Sequence, residues 1–92
     1  MTIKVRFFAR FRELLGTDII VTSQEGTHLL TVVKKIAEKS QDGYDAIFDA
    51  KGDFREFVIV MQNGRRVETA TAASTPVTDG DEIAVFPPVA GG

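Results

Sequence analysis

The stretch GTHLLTVVKKIAEKS, residues 26–40, decides the fold, because it is the long helical pattern in a chain of short strand patterns. Its apolar side chains recur at i, i+3, i+4, i+7 and i+8, the spacing of one helical stripe. The stripe consists of Leu29, Val32, Val33, Ile36 and Ala37. Thr27 is the predicted N-cap. The pattern predicts an amphipathic helix that must bury one face against a sheet.

Two strand patterns precede this helix. Residues 3–8, IKVRFF, alternate apolar and charged side chains and place Phe8 on the face of the charged ones. Residues 17–23, TDIIVTS, are rich in β-branched side chains. Between them, residues 9–16 predict a short helical turn that Gly16 ends. The short link predicts that the two strands pair antiparallel.

Three strand patterns follow the helix. Residues 41–54 mix turn residues with a few apolar ones and predict one further helical turn. Residues 56–68, EFVIVMQNGRRVE, predict a hairpin with a type I′ turn at Asn63-Gly64. Residues 69–82 are predicted to be a loop. Residues 82–86, EIAVF, form the last predicted strand, which two prolines end.

This order of elements predicts an α+β fold of the β-grasp type, with a mixed five-stranded sheet packed on one main helix. The first and last strands are expected to pair in parallel at the centre of the sheet. Another α+β sandwich with a different strand order is the alternative. The predicted β-grasp domain spans residues 1–86, and residues 87–92 are predicted to form a flexible C-terminal tail ending in Gly-Gly.

The composition of the chain excludes several classes of function. Its 92 residues include no cysteine and one histidine, so thiol catalysis and cysteine-based metal sites are excluded. We expect His28 to be solvated and the aspartates of residues 42–53 to bind no metal. A net charge of −2 and the lack of a long apolar run predict no nucleic-acid partner, no membrane partner and a cytoplasmic location. The chain is not expected to be an enzyme by itself.

The alternation of the first and last strands predicts an apolar surface on the open face of the sheet. If Ile83 and Val85 face the helix, Phe86 lies on the open face, as Phe8 does. The strand predicted over residues 57–61 is apolar on both faces and adds to this surface. Exposed apolar patches of this kind mark partner surfaces. The alternative is that tail or loop residues cover the two rings within the monomer.

The C-terminal stretch VFPPVAGG, residues 85–92, predicts a tail that carries chemistry. The prolines stiffen the exit from the sheet, and glycine, which lacks a Cβ, fits a narrow channel. An unhindered carboxylate on Gly92 is a group that adenylation activates for attack by sulfide or an amine.

Three stretches resemble the MoaD family, the sulfur-carrying small subunits of molybdopterin synthase, which are related to ubiquitin and to the thiamine sulfur carrier ThiS. These stretches are FFARFRELLGT (residues 7–17), NGRRV (63–67) and TDGDEIAVFPPVAGG (78–92). The resemblance implies that a MoeB-like enzyme uses ATP to adenylate Gly92, which becomes a thiocarboxylate. The sulfur then passes to cyclic pyranopterin monophosphate. No cofactor is expected to be bound to the chain itself.

The same resemblance assigns residues to a partner interface. A MoaE-like large subunit is the implied partner, and Phe8 and Phe86 coincide with family positions that contact it, with Val67 as a further candidate. The residues implied to insert into that partner are Pro87, Pro88, Val89, Ala90, Gly91 and Gly92.

Two other functions use the same activation chemistry and stay open. One is a ubiquitin-like protein modifier that is joined through Gly92 to lysines of target proteins. The other is sulfur delivery for thiamine or for tRNA thiolation, for which the ending FPPVAGG is less typical.

Overall fold

The computed structural model describes residues 1–88 and contains five strands, three α-helices and one 3₁₀ helix in that range. The strands form one sheet in the order β2-β1-β5-β3-β4. β1 pairs with β2 antiparallel and with β5 in parallel, and β3 pairs antiparallel with both β5 and β4. The predicted β-grasp arrangement is therefore confirmed. The elements are β1 (Thr2–Phe7), α1 (Ala9–Leu15), β2 (Asp18–Thr22), α2 (Leu29–Ala37), α3 (Gln41–Ile47), β3 (Ile59–Gln62), β4 (Arg65–Val67), the 3₁₀ helix (Thr69–Ser74) and β5 (Glu82–Phe86).

The core lies between α2 and one face of the sheet. All five residues of the predicted stripe on α2 are at most 1% exposed. They are buried together with alternate residues of β1 and β5, which are equally buried: Ile3, Val5, Phe7, Ile83 and Val85. Burial of each large apolar side chain contributes about 1.5–3 kcal/mol. The alternation of these two strands assigns the opposite face of the sheet to solvent, as predicted.

Three predictions about local structure are wrong. His28, not Thr27, is the N-cap of α2, because the Thr27 hydroxyl donates to the Gln24 carbonyl in the preceding turn. The predicted loop contains a 3₁₀ helix, in which Ala72 is fully buried in the core. β3 begins at Ile59 rather than Phe57, because the chain is still turning where the Val58 N–H donates to the Arg55 carbonyl.

The type I′ hairpin turn is confirmed by the backbone of its two central residues. Asn63 has a φ of 51° and Gly64 a φ of 81°, and both values lie in the left-handed region that this turn requires. α1 and α3 also form where short helical turns were predicted, and Ser40 caps α3 by accepting from the Gly43 N–H at 3.1 Å. No helix within residues 1–88 is long and apolar enough to cross a bilayer.

Asp81 ties the start of β5 to the β3–β4 turn. Asp81 is only 7% exposed, and its carboxylate oxygens accept four hydrogen bonds. The donors are the Thr78 N–H (2.8 Å), the Thr78 hydroxyl (3.0 Å), the Gln62 amide (3.0 Å) and the Asn63 amide (2.9 Å). Burial alone would raise the pKa of Asp81, but these hydrogen bonds prevail and lower the pKa below its ordinary value of 3.8.

We expect Asp81→Asn to lower the free energy of unfolding by about 1–3 kcal/mol. The asparagine amide places an N–H₂ donor where the carboxylate accepts from other donors, so some of these hydrogen bonds are lost. The contribution of the Asp81 carboxylate to the free energy of unfolding is complete above its pKa in the unfolded state, near 3.8. This contribution is lost as the pH falls through the lower pKa of the folded state. Urea unfolding at neutral and at acidic pH measures both effects. Asp53→Asn, at an exposed position, is the control. An equal effect of both substitutions at neutral pH would contradict the role of Asp81.

Candidate partner surface and tail root

Phe8 and Phe86 stack on one another at the end of the two central strands. Their ring centroids are 4.2 Å apart and the ring planes are inclined by 13°. The Phe8 N–H donates to the Val85 carbonyl at 3.3 Å, which continues the parallel ladder beyond Phe7. Both residues are half-buried, because each ring covers part of the other. The structure thus brings together the two aromatic residues that the sequence placed on the open face.

The backbone turns sharply directly after Phe8. Ala9 has a φ of 51°, a left-handed conformation that costs an L-residue about 1–2 kcal/mol. This turn starts α1 at the end of β1, so that Phe8 stays in extended conformation beside Phe86. Sequence reasoning missed this feature, since alanine carries no signal for a positive φ.

The stacked rings belong to a larger apolar surface, which we call the open-face patch. In the register of the sheet, Ile59 lies opposite Phe86, and Met61 lies opposite Ala84. All three additional residues are half-buried on the face away from α2. Phe57, two residues before Ile59, is 68% exposed. The open-face patch consists of Phe8, Ile59, Met61, Ala84 and Phe86, and such a patch is typical of a partner surface.

Charged side chains lie beside the patch on the open face. Lys4 lies 3.5 Å from the Glu82 carboxylate, and the Arg6 Nε donates to Asp18 at 2.7 Å. The hydrogen bond from Arg6 is the main cause that lowers the pKa of Asp18. The hollow between these charges and the patch has a volume of about 140 Å³. It is smaller than a typical ligand pocket of about 300–1,000 Å³, so this face suits a protein partner better than a small molecule.

The root of the tail lies beside α1 and α3. β5 ends at Phe86, and Pro87 and Pro88 line an open groove of about 570 Å³ with residues of both helices. Pro88 is exposed. The predicted tail residues Val89, Ala90, Gly91 and Gly92 lie outside the described residues.

Val67 does not join the two phenylalanines. It lies opposite Val60 in the β3–β4 ladder, and Val60 is fully buried on the side of α2. Val67 is half-buried and packs against the core. Directly opposed residues point to the same face of a sheet, so Val67 lies on the face opposite the open-face patch. Its contact with a partner stays a prediction.

Metal-ligating residues do not converge within residues 1–88, where no group of three histidine or acidic side chains is arranged to hold an ion. His28 is exposed at the start of α2. In the acidic stretch, Asp49 accepts from the N–H groups of Lys51 and Asp53, and these bonds, led by that from Asp53, lower its pKa. This carboxylate therefore orders a turn.

The model of the ThiS family matches residues 5–92. The chain belongs to the ThiS family. The matched residues include the tail and its root. The resemblance to MoaD proteins is confirmed by relatives of similar length. The small archaeal modifier protein 3 of Haloferax volcanii is 36% identical over 92 residues, covering 100% of both chains. The molybdopterin synthase sulfur carrier subunit of Escherichia coli is 36% identical over 90 residues, covering 98% of this ThiS-family chain and 99% of its own.

The fold of this ThiS-family chain is also that of solved ubiquitin-like proteins. The crystal structure of SAMP1 from Haloferax volcanii superposes with a TM-score of 0.87 at 22% identity, covering 100% of both chains. The similar proteins thus include a sulfur carrier and a protein modifier. This chain is a member of the ubiquitin-like family of sulfur carriers and modifiers.

Proposed function

We propose that this chain is the sulfur-carrier small subunit of a molybdopterin synthase and acts in the cytoplasm. The observation that carries the proposal is the position of the open-face patch, whose Phe86 ends β5 directly before the tail. A large subunit that binds the patch would receive the tail at the same time. The 36% identity to the Escherichia coli sulfur carrier subunit over nearly the whole chain supports this assignment.

The proposed chemistry is confined to Gly92. An activating enzyme of the MoeB type binds ATP and transfers AMP to the terminal carboxylate, with release of pyrophosphate. Hydrosulfide, which a thiol reductant releases from a persulfide donor with formation of a disulfide, then attacks the acyl carbon, AMP leaves, and a thiocarboxylate results. The chain binds no cofactor in this scheme, because ATP is held by the activating enzyme.

The contribution of the folded domain is to present the tail. The stacked rings and the bond from the Phe8 N–H to the Val85 carbonyl hold the last strand at the centre of the sheet. The prolines that follow restrict the backbone at the exit. A fixed exit lowers the entropy that is lost when the tail enters a partner.

A protein modifier is the second candidate, and the identity to small archaeal modifier protein 3 over the full length favours it. Both functions begin with the same acyl-adenylate, and they differ in the nucleophile. Sulfide gives a thiocarboxylate, whereas a lysine amine of a target protein gives an isopeptide bond.

Intact mass spectrometry of the chain recovered from its native cells tests the proposal. We expect a species in which one oxygen of the Gly92 carboxylate is replaced by sulfur, and we expect this species to disappear when the activating enzyme is deleted. Isopeptide adducts on lysines of other proteins, without any thiocarboxylate, would favour the modifier and reject the carrier.

A further inference from the structure

β2 forms one edge of the sheet, and half of its backbone groups point away from β1. The Phe7 N–H donates to the Thr17 carbonyl, and the Ser23 N–H donates to the Met1 carbonyl. Hydrogen-bonded pairs alternate along an antiparallel ladder, so every second residue between these two bonds faces β1 and the others face outward. The outward residues are Asp18, Ile20 and Thr22.

This edge lacks the features that usually protect an exposed strand. β2 has five residues in unbroken register, without proline or lysine, and its single charge, Asp18, is bonded to Arg6. Ile20 is 58% exposed at its centre. In contrast, the opposite edge, β4, has three residues, of which two are arginines. The difference indicates that β2 is an edge available for pairing.

A groove continues from the end of β2 toward α2. Its volume is about 420 Å³ and its walls are mainly hydroxyl-bearing side chains, with one charged residue, Lys35. Lys35 is exposed and makes no ion pair within the described part of the chain. The groove is lined by Thr22 at the end of β2 and by Thr31 and Lys35 on α2, whereas the Thr27 hydroxyl already donates to the Gln24 carbonyl. Hydroxyl groups and an ammonium group are the donors that a carboxylate requires.

We propose that the β2 edge and this groove bind an extended, acidic peptide segment of another protein by strand addition. The peptide backbone pairs with the outward groups of β2, as in other complexes formed on a sheet edge. Side chains of a strand alternate between faces, so one set lies beside Ile20 on the open face and the other points toward α2. An apolar residue suits the first position and an acidic residue, near Lys35, suits the second.

A second copy of the chain fits this site less well. Two β2 strands that pair through their outward residues place Ile20 opposite Ile20 and Asp18 opposite Thr22, all on the open face. The Asp18 carboxylate then lies on the wrong side of the sheet for Lys35. The charge of the groove therefore selects an acidic peptide over the chain itself.

The groove at the Thr22 end of the proposed site lies away from the tail root, and the proposed site adds to the proposed function rather than depending on it. β2 runs antiparallel to β1, so Thr22 lies opposite Thr2 at the start of β1, whereas Phe8 and the open-face patch lie at its end. The groove and the tail therefore lie at opposite ends of the sheet, and β2 itself is separated from β5 by β1. The chain can hold one protein while its tail reacts with another.

A short synthetic peptide of alternating valine and glutamate, added to the isotope-labelled chain, is the probe. We expect amide chemical shifts to change at Asp18, Ile20 and Thr22, and Lys35→Glu to weaken the Kd about fivefold, the size of one surface charge pair. Lys39→Glu, an exposed lysine outside the groove, is the matched control and is expected to leave the Kd unchanged.

A second peptide separates strand addition from simple charge attraction. The same sequence with N-methylated backbone amides keeps its carboxylates but cannot donate hydrogen bonds to the edge, and we expect it not to bind. Equal binding of both peptides, shift changes confined to other strands, no shift changes, or dimerisation of the free chain through β2 would each overturn the proposal.

Discussion

Deletion of Gly92 is expected to abolish sulfur transfer to the pterin while leaving the thermal unfolding midpoint unchanged. The reason for the first effect is chemical, because the acyl carbon of Gly92 is the proposed site of adenylation. The reason for the second is structural, since the buried apolar residues among residues 1–88 all lie between Ile3 and Val85. Product formation with the reconstituted activating enzyme and large subunit measures the first effect, and calorimetry measures the second.

An extended chain provides the control for this deletion. Residues added after Gly92 through a protease-cleavable link are expected to block adenylation, and their removal is expected to restore it in the same sample. Activity of the extended chain would contradict the role of the free carboxylate. A lowered unfolding midpoint of the deletion variant would show that the tail stabilises the fold.

Substitution of Phe86 by alanine is expected to weaken binding of the large subunit by about 2–4 kcal/mol, the range of an aromatic residue at the centre of an interface. Its effect on the free energy of unfolding is expected to be smaller, because Phe86 is half-buried and its main neighbour is Phe8 on the surface. Calorimetric titration and urea unfolding of the same variant compare the two effects directly.

Ile20→Ala is the matched control for Phe86→Ala. It removes an exposed apolar side chain from the same face of the sheet, but Ile20 lies on β2, outside the open-face patch. We expect it to leave binding of the large subunit unchanged. If Phe86→Ala destabilised the isolated chain more than it weakened the complex, Phe86 would belong to the core and the proposed interface would be wrong.

The sequence predicted the sheet and its faces because alternation in β1 and β5 and the stripe on α2 are decided by burial alone. The same reasoning located Phe8 and Phe86, whose meeting requires only that two strands be neighbours. It did not locate the features that depend on contacts between distant segments. The four donors around Asp81 come from the end of β3, the turn that follows it and the loop before β5. The buried Ala72 shows no periodic pattern in a stretch of threonine and alanine.

The boundaries of elements were predicted less well than their existence, for a related reason. A residue such as Phe57 has a strong preference for strands, yet a local hydrogen bond from Val58 to Arg55 keeps the chain turning there. Val67 shows the same limit for a residue that the resemblance assigned to the partner interface. A resemblance to a family names a position, but the ladder partner Val60 determines the face on which it lies.

The parallel pairing of β1 with β5 sets the order of events during biosynthesis. The sheet has β5 at its centre, between β1 and β3, and β5 comes last in chain order among the elements of residues 1–88. An N-terminal segment emerging from the ribosome therefore has an unfilled gap in its sheet until residue 86 is available. Contacts between such distant segments also form slowly. An activating enzyme that recognises the completed sheet would thus act only on chains that extend through β5, and shorter termination products would escape loading with sulfur.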